Sequence, residues 1–370
     1  MRIKIQQFLF GKSHSWSVVG QSLGRSFLKM GHEVDFVSTD GVIDKFIPND
    51  LLSFVKNSPN GVYDMQLSYT APHNFPAYLS HGKKNRFGIW NYEYNLKPGS
   101  KRGLLPGFAK HAAVTDFVLP SSNFTKDVFL NMGVPEEKMV VVPHGINLED
   151  FENINPMPLK TKKSKTILLN IAQPHKRKAL HLALESFGKA FTKNDDVCLV
   201  AKVLKQNKTE HTFNIDFDSL LKNFKSKFTN HAEIEVIDKF LPNLADIYSS
   251  DINFSATHTE CWHLPSLEAL AAGVINVVPR YGGILDFCND DNCLLIDGNI
   301  RRADRTHQYW STSPHAVHFV IDTNDAAKKL QYAVEKTDEL KNKFAENMKK
   351  TAQKFTWDNA AKQVLDLCKG

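Results

Sequence analysis

The sequence predicts two α/β domains, each a mostly parallel sheet covered by helices. Short apolar runs alternate with amphipathic segments along nearly the whole chain, the pattern of βαβ units. The length of 370 residues suits two or three domains of roughly 100–200 residues each. The composition also changes at Asn153–Lys165, a stretch rich in Pro, Asn, Thr and Lys that reads as a linker or exposed segment.

Ile3–Phe10 reads as a buried first strand and Gly11–Trp16 as a loop. Ser17 can cap a helix in which Val19, Leu23, Phe27 and Met30 recur at helical spacing, and Gly31 ends it. Glu33–Ser38 is the next strand, and Gly-His-Glu-Val after an amphipathic helix is how Rossmann-like domains often open. Strands follow near Asp64–Tyr69, Phe87–Tyr92, Asp116–Pro120 and Met139–Pro143, with a helix at Ser122–Met132 capped by Ser122. The second series has strands at Thr166–Ile171, Val197–Val203, Ala232–Ile237, Ile252–Ser255, Val274–Pro279 and Leu294–Ile296. Helices are expected at Ala179–Phe191, Leu267–Gly273, Ala326–Phe355 and Trp357–Leu367. In such sheets ligands bind beyond the carboxyl ends of the strands.

Hydrophobic residues at 42% and charged residues at 23% exclude a disordered or fibrous chain. No run of about 18 apolar residues exists, which argues against a membrane span. The N-terminus lacks a signal-peptide pattern. Five scattered cysteines without a C-x-x-C pair argue against a zinc ribbon or disulfide framework and fit a cytoplasmic location. The net charge of +6 admits anionic substrates such as nucleotide diphosphates, or attraction to an acidic membrane face.

The most informative segment is Thr259–Pro279, TECWHLPSLEALAAGVINVVP. Pro265 sits where it can open a helix, because its missing N–H costs nothing there. Leu267, Leu270 and Ala271 give that helix a buried face and Gly273 ends it. Glu268 then lies early in the helix and Glu260 on the loop before it. Free N–H groups at a helix start form an anion site. Two carboxylates beside it suit a ligand carrying both hydroxyls and phosphates. A capping or dipole-compensating Glu is the plainer alternative.

This segment resembles the E-x7-E element of glycosyltransferase family 4, retaining enzymes of the GT-B fold, through Glu260, Leu264, Pro265, Leu267, Glu268, Ala269, Ala271 and Gly273. Val142-Pro143-His144-Gly145-Ile146-Asn147 is similar to the family's interdomain V-P-N/H-G-V-D, Arg177-Lys178-Ala179 to its R-K-G, and Phe355-Thr356-Trp357 to its F-S-W. The resemblance implies two Rossmann-like domains facing a cleft: residues 1–152 on the acceptor side, 153–352 binding the nucleotide sugar, and a helix at 353–370 returning to the first domain. It implies that Glu260 contacts hydroxyls of the donor sugar, Glu268 the ribose, and Lys178 the diphosphate, with Ser266 in the same helix-opening stretch as Leu264 and Pro265.

The family's Arg upstream of that Lys falls on Ala172, so Arg177, His175 or Lys176 would substitute. Cys261, Trp262 and His263 replace the family's Gly-Phe-Gly; His263 is either a new polar contact or turned outward, and Cys261 a packed residue. The family's Gly-Gly loop after the first strand is here Gly11–Trp16, where Ser13 and His14 would face the ligand. Glu93 follows the Phe87–Tyr92 strand and is expected near the sugar or acceptor, with His73 as a competitor and His144 as a crossover residue. Gly282-Gly283 resembles the family's glycine pair near the donor, and a plain turn is the alternative.

The implied reaction is retaining, metal-independent transfer from a UDP- or GDP-linked sugar to a hydroxyl on a glycan, lipid-linked or protein acceptor, with no cofactor beyond the nucleotide-diphosphate sugar. Asp195-Asp196 and Asp290-Asp291 lack a supporting ligand cluster for a metal. Lys83, Lys84, Arg86, Lys101 and Arg102 mark a possible peripheral membrane contact. A non-catalytic nucleotide-sugar-binding subunit is the alternative. Nucleic-acid binding finds no motif.

Overall fold

The structure is a computed structural model, and it describes residues 1–9, 15–43, 47–56, 61–79, 84–97, 107–160, 166–204, 215–239, 241, 243–303, 313 and 315–369. Ser13, His14, Lys83, Lys101 and Arg102 lie outside the described residues. The chain divides into two compact units. One comprises Met1–Tyr92, Lys101–Gly145 and Phe355–Gly370, the other Glu93–Ser100 and Ile146–Lys354.

In chain order the first unit contains β1 (Arg2–Leu9), α1 (Ser15–Lys29), β2 (Glu33–Ile43), α2 (Asn49–Leu52), β3 (Val55–Lys56), β4 (Met65–Tyr69), α3 (Phe75–Leu79) and β5 (Arg86–Ile89). The strand β6 (Asn95–Leu96) belongs to the second unit. The first then resumes with α4 (Phe108–Ala112), β7 (Phe117–Val118) and α5 (Asn123–Asn131). Its sheet runs β3-β2-β1-β4-β5-β7, every pair parallel. Ile3, Ile5 and Leu67 are almost wholly buried, as strands covered on both faces require. Ser122 caps α5 by accepting from the Thr125 N–H. Met139–Pro143 forms no strand. Val140 and Val142 donate to Val118 and Pro120 at 3.1 and 2.9 Å, but Pro120 has no N–H with which to return the ladder bond to the Val140 carbonyl.

The second unit repeats the plan with β8 (Thr166–Ile171), α6 (Leu180–Ala190), β9 (Val197–Lys202), α7 (Phe217–Lys227), β10 (Glu233–Ile237) and β11 (Ile252–Phe254). It continues with α8 (Leu264–Ala271), β12 (Ile275–Pro279) and β13 (Leu294–Ile296). The sheet order β10-β9-β8-β11-β12-β13 is again parallel throughout. A separate antiparallel sheet, absent from the sequence reading, joins β14 (Gly298–Arg302), β15 (Ala316–Ile321) and β6.

One further expectation needs correction. The helix expected over Ala326–Phe355 is two helices, α9 (Thr323–Glu335) and α10 (Thr337–Lys354). The Thr337 hydroxyl donates back to the carbonyls of Ala333 and Val334 at the break, a local bond that competes with a regular ladder. The described part of the segment read as a linker or exposed entry is largely exposed, with Met157 as its buried anchor. Met157 is buried against Leu169 and Val200, its N–H donates to the Ser249 hydroxyl at 2.8 Å, and the Lys160 N–H donates to Glu235. The last helix, α11 (Trp357–Asp366), packs in the first unit, where Asp358 accepts from Ser26 and Lys29 on α1 at 2.8 and 2.9 Å.

Candidate active site

Strand order in the second sheet reverses between β8 and β11, which is where α/β sheets open a crevice at their carboxyl ends. The segments leaving those two strands meet there. After β8 the chain makes a tight turn over Lys176–Lys178. His175 caps it by accepting from the Arg177 N–H, and Ala179 closes it at φ 48°. After β11, Thr257 to Glu260 run alongside. The His258 N–H donates to the Arg177 carbonyl at 2.9 Å, which fixes the two loops in register.

This register gathers four charges. Glu260 Oε2 lies 2.7 Å from Arg177 Nη1, and Glu260 Oε1 lies 2.6 Å from Lys178 Nζ. The Thr257 hydroxyl donates to the same Oε1 at 2.8 Å. Arg177 also donates to the Thr259 carbonyl at 2.9 Å and reaches Glu93 Oε1 at 3.3 Å. The Thr259 hydroxyl donates to the Glu93 carbonyl. The side chains of Arg177 and Glu260 are only 14% and 8% exposed, so water screens the pair poorly. Burial works against the Glu260 carboxylate, yet Arg177 and then Lys178 override it and hold the carboxyl well below its usual range. For Arg177, Glu260 and Glu93 outweigh burial in the opposite sense. Burial pulls the Lys178 ammonium down. Burial pushes the Glu93 carboxyl up, and nearby Glu260 adds to that.

Beside this cluster α8 begins. Pro265 occupies its first turn, as its sequence position suggested. His263, just before the helix, has φ 79°, is 6% exposed, and places Nδ1 2.6 Å from the Ser266 hydroxyl. Burial lowers its imidazole to about 3, so the ring is neutral. Cys261 and Trp262 turn into the core, the Trp262 ring packing tilted against Phe287 with centroids 4.8 Å apart. Gly282 and Gly283 pack against the Glu260 backbone. The Gly283 N–H donates to the Glu260 carbonyl at 2.8 Å, and a Cβ on Gly282 (φ 85°) would stand 2.9 Å from that oxygen. One turn into α8, Glu268 accepts from the Tyr248 hydroxyl. Burial raises the Glu268 carboxyl.

The structure therefore brings together Glu93, Arg177, Lys178 and Glu260, with His263 among their electrostatic neighbours and Leu264, Pro265 and Ser266 in the adjoining helix start. Of the residues expected to substitute for the cation missing at Ala172, Arg177 pairs with Glu260 and His175 caps the turn. Glu93 does not sit at a strand end, since β5 stops at Ile89 and Glu93 belongs to the second unit. In the first unit, His73 is exposed on a short turn after β4. His144 is buried, its Nε2 3.2 Å from Asn91 Nδ2, and burial lowers it to about 3. Sequence reasoning missed Thr257, Thr259 and Tyr248. The alternation Thr-His-Thr-Glu was the available signal for the first two, and nothing local marked Tyr248. Among the described residues no group of three His, Cys, Asp or Glu is arranged to hold a metal ion, and no helix is long and apolar enough to cross a membrane.

No family model and no curated protein sequence matches the chain. Solved structures do. A glycosyltransferase from Rickettsia africae matches at 16% identity and a TM-score of 0.71, over 100% of this chain and 98% of that one. Anabaena HepE, crystallised with UDP-glucose, matches at 12% identity and a TM-score of 0.67, over 100% and 99%. WaaG, a glycosyltransferase involved in lipopolysaccharide biosynthesis, matches at 12% identity and a TM-score of 0.65, over the full length of both chains. The fold is thus GT-B: two Rossmann-like parallel-sheet domains with helices.

Proposed function

We propose that the chain is a retaining, metal-independent glycosyltransferase of the family 4 type. It moves a sugar from a UDP- or GDP-linked donor to a hydroxyl of a glycan, lipid-linked or protein acceptor in bacterial-type glycan assembly, in the cytoplasm or at the inner membrane face. The observation that carries this reading is the buried Arg177–Glu260–Lys178 cluster beside the start of α8, at the carboxyl end of the β8/β11 switch point. The occurrence of this fold in HepE, which binds UDP-glucose, supports it.

In this reading the diphosphate takes the place opposite Lys178 and Arg177, and Glu260 passes to hydroxyls of the donor sugar. Glu268, steadied by Tyr248, accepts from the ribose. The bond from the anomeric carbon to phosphate oxygen breaks as the acceptor oxygen attacks the same face. The departing phosphate takes the acceptor proton. Charge therefore grows where the cations stand, and a preorganised donor there contributes roughly 2.7–4 kcal/mol.

A second reading, a non-catalytic nucleotide-sugar-binding subunit, rests on Cys261–His263 in place of the family's Gly-Phe-Gly and on Ala172 in place of its Arg. Incubation with a panel of UDP- and GDP-sugars without acceptor separates the two. A transferase slowly releases free sugar with its anomeric configuration kept, and Lys178→Ala slows that release roughly 100-fold or more. No release from any donor contradicts the transferase.

A further inference from the structure

Among the described residues, none gives the buried Nε2 of His263 a task. Its Nε2 has no hydrogen-bond partner among the described residues, and the residue is 6% exposed. A buried polar group left unsatisfied costs about 1–3 kcal/mol, so its persistence calls for an explanation. The ring's other nitrogen shows which proton state it holds. Ser266 is wholly buried, and the only partner of its hydroxyl among the described residues is His263 Nδ1, at 2.6 Å. If Nδ1 carried the proton, the serine hydroxyl hydrogen would be buried with no acceptor. The serine therefore donates, Nδ1 accepts, and Nε2 bears the hydrogen.

The charges that act on this ring are those of Glu260, Lys178 and Arg177. We propose that Ser266 locks His263 in the Nε2–H tautomer so that it donates to a non-bridging oxygen of the outer phosphate of a nucleoside diphosphate. This rests on the donor-binding reading above and makes His263 a specificity residue for diphosphate over monophosphate. Backbone strain fits such a role, because a non-glycine residue at φ 79° is tolerated only where something holds it.

Two measurements test this. In protein labelled with 15N-histidine, long-range 15N–1H spectra of the wild type, assigned against His263→Gly, are expected to show His263 protonated at Nε2, with the preference lost in Ser266→Ala. Glycine suits the positive φ, so His263→Gly keeps the fold, which its melting temperature verifies. Calorimetric titration with UDP, UMP, GDP and GMP is then expected to show diphosphate affinity falling roughly 10- to 100-fold in His263→Gly, with monophosphate affinity within about twofold. A protonated Nδ1, or equal losses for mono- and diphosphate, overturns the proposal. If the wild type binds neither UDP nor GDP, the functional reading itself fails.

Discussion

Replacing Glu260 by Gln keeps the shape of the side chain and removes its charge. In the native cluster this carboxylate meets Arg177 at 2.7 Å, Lys178 at 2.6 Å and Thr257 at 2.8 Å. Without it, the two mostly buried cations keep Glu93, 3.3 Å from Arg177. Removing one partner of a buried ion pair costs roughly 3–5 kcal/mol. At about 2–4 °C per kcal/mol for a domain of this size, the melting temperature of E260Q is expected to fall by roughly 6–20 °C. A nucleoside diphosphate supplies the missing negative charge and no longer competes with the carboxylate for Lys178. UDP or GDP is therefore expected to bind E260Q about tenfold more tightly than wild type, about 1.4 kcal/mol. Differential scanning fluorimetry with and without nucleotide, followed by calorimetric titration, reads both effects. Sugar transfer is expected to fall in the same variant, because the donor hydroxyls lose a charged acceptor worth about 1.5–3 kcal/mol. A melting temperature within 2 °C of wild type (about 1 kcal/mol or less) together with unchanged nucleotide affinity would refute the electrostatic reasoning.

Tyr248→Phe removes the hydroxyl that holds Glu268 and is expected to weaken UDP or GDP binding roughly tenfold while kcat at saturating donor changes little. Steady-state kinetics checks this, and an equal fall in kcat argues for a different role. Gly282→Ala forces a side chain into a backbone region open essentially to glycine alone (φ 85°, ψ −165°) and against the Glu260 carbonyl, so a loss of roughly 1–3 kcal/mol in urea denaturation is expected. For His144 and His263, whose folded values lie near 3 against an ordinary 6.5, the unfolded chain binds protons first as the pH falls. Their contribution to stability is complete above about pH 6.5 and is lost towards pH 3, at up to about 1.4 kcal/mol per pH unit for each ring. Replacing His144 by Gln is expected to flatten the acid side of the urea-midpoint profile, and an unchanged slope counts against a neutral buried ring.

Both parallel sheets were legible in the sequence because strands covered on two faces are written as continuous apolar runs, as in Thr166–Ile171 and Leu294–Ile296, whose bounds match the structure. The antiparallel sheet was not. β14 is mostly exposed and polar, and β6 has two residues that find β15 more than two hundred positions away. Local periodicity carries no information about such pairings. The site divides in the same way. Glu260, Lys178 and Arg177 stand in segments with recognisable punctuation, whereas Glu93 reaches them only because the chain passes into the second unit immediately after Tyr92. Tyr248 lies in a short turn whose apolar neighbours gave it the look of plain core. The break between α9 and α10 escaped notice because neither Gly nor Pro marks it.

In the proposed function, the loops leaving β8 and β11 hold a pyrophosphate between fixed cations and the start of α8. A crystal structure of the protein with UDP or GDP tests it most directly. Outer-phosphate oxygens are expected within about 3 Å of Lys178 Nζ and His263 Nε2, with the ribose hydroxyls on Glu268 and Glu260 drawn away from Lys178. A nucleotide seated elsewhere, with the Arg177–Glu260–Lys178 contacts intact at 2.7 and 2.6 Å, would contradict it.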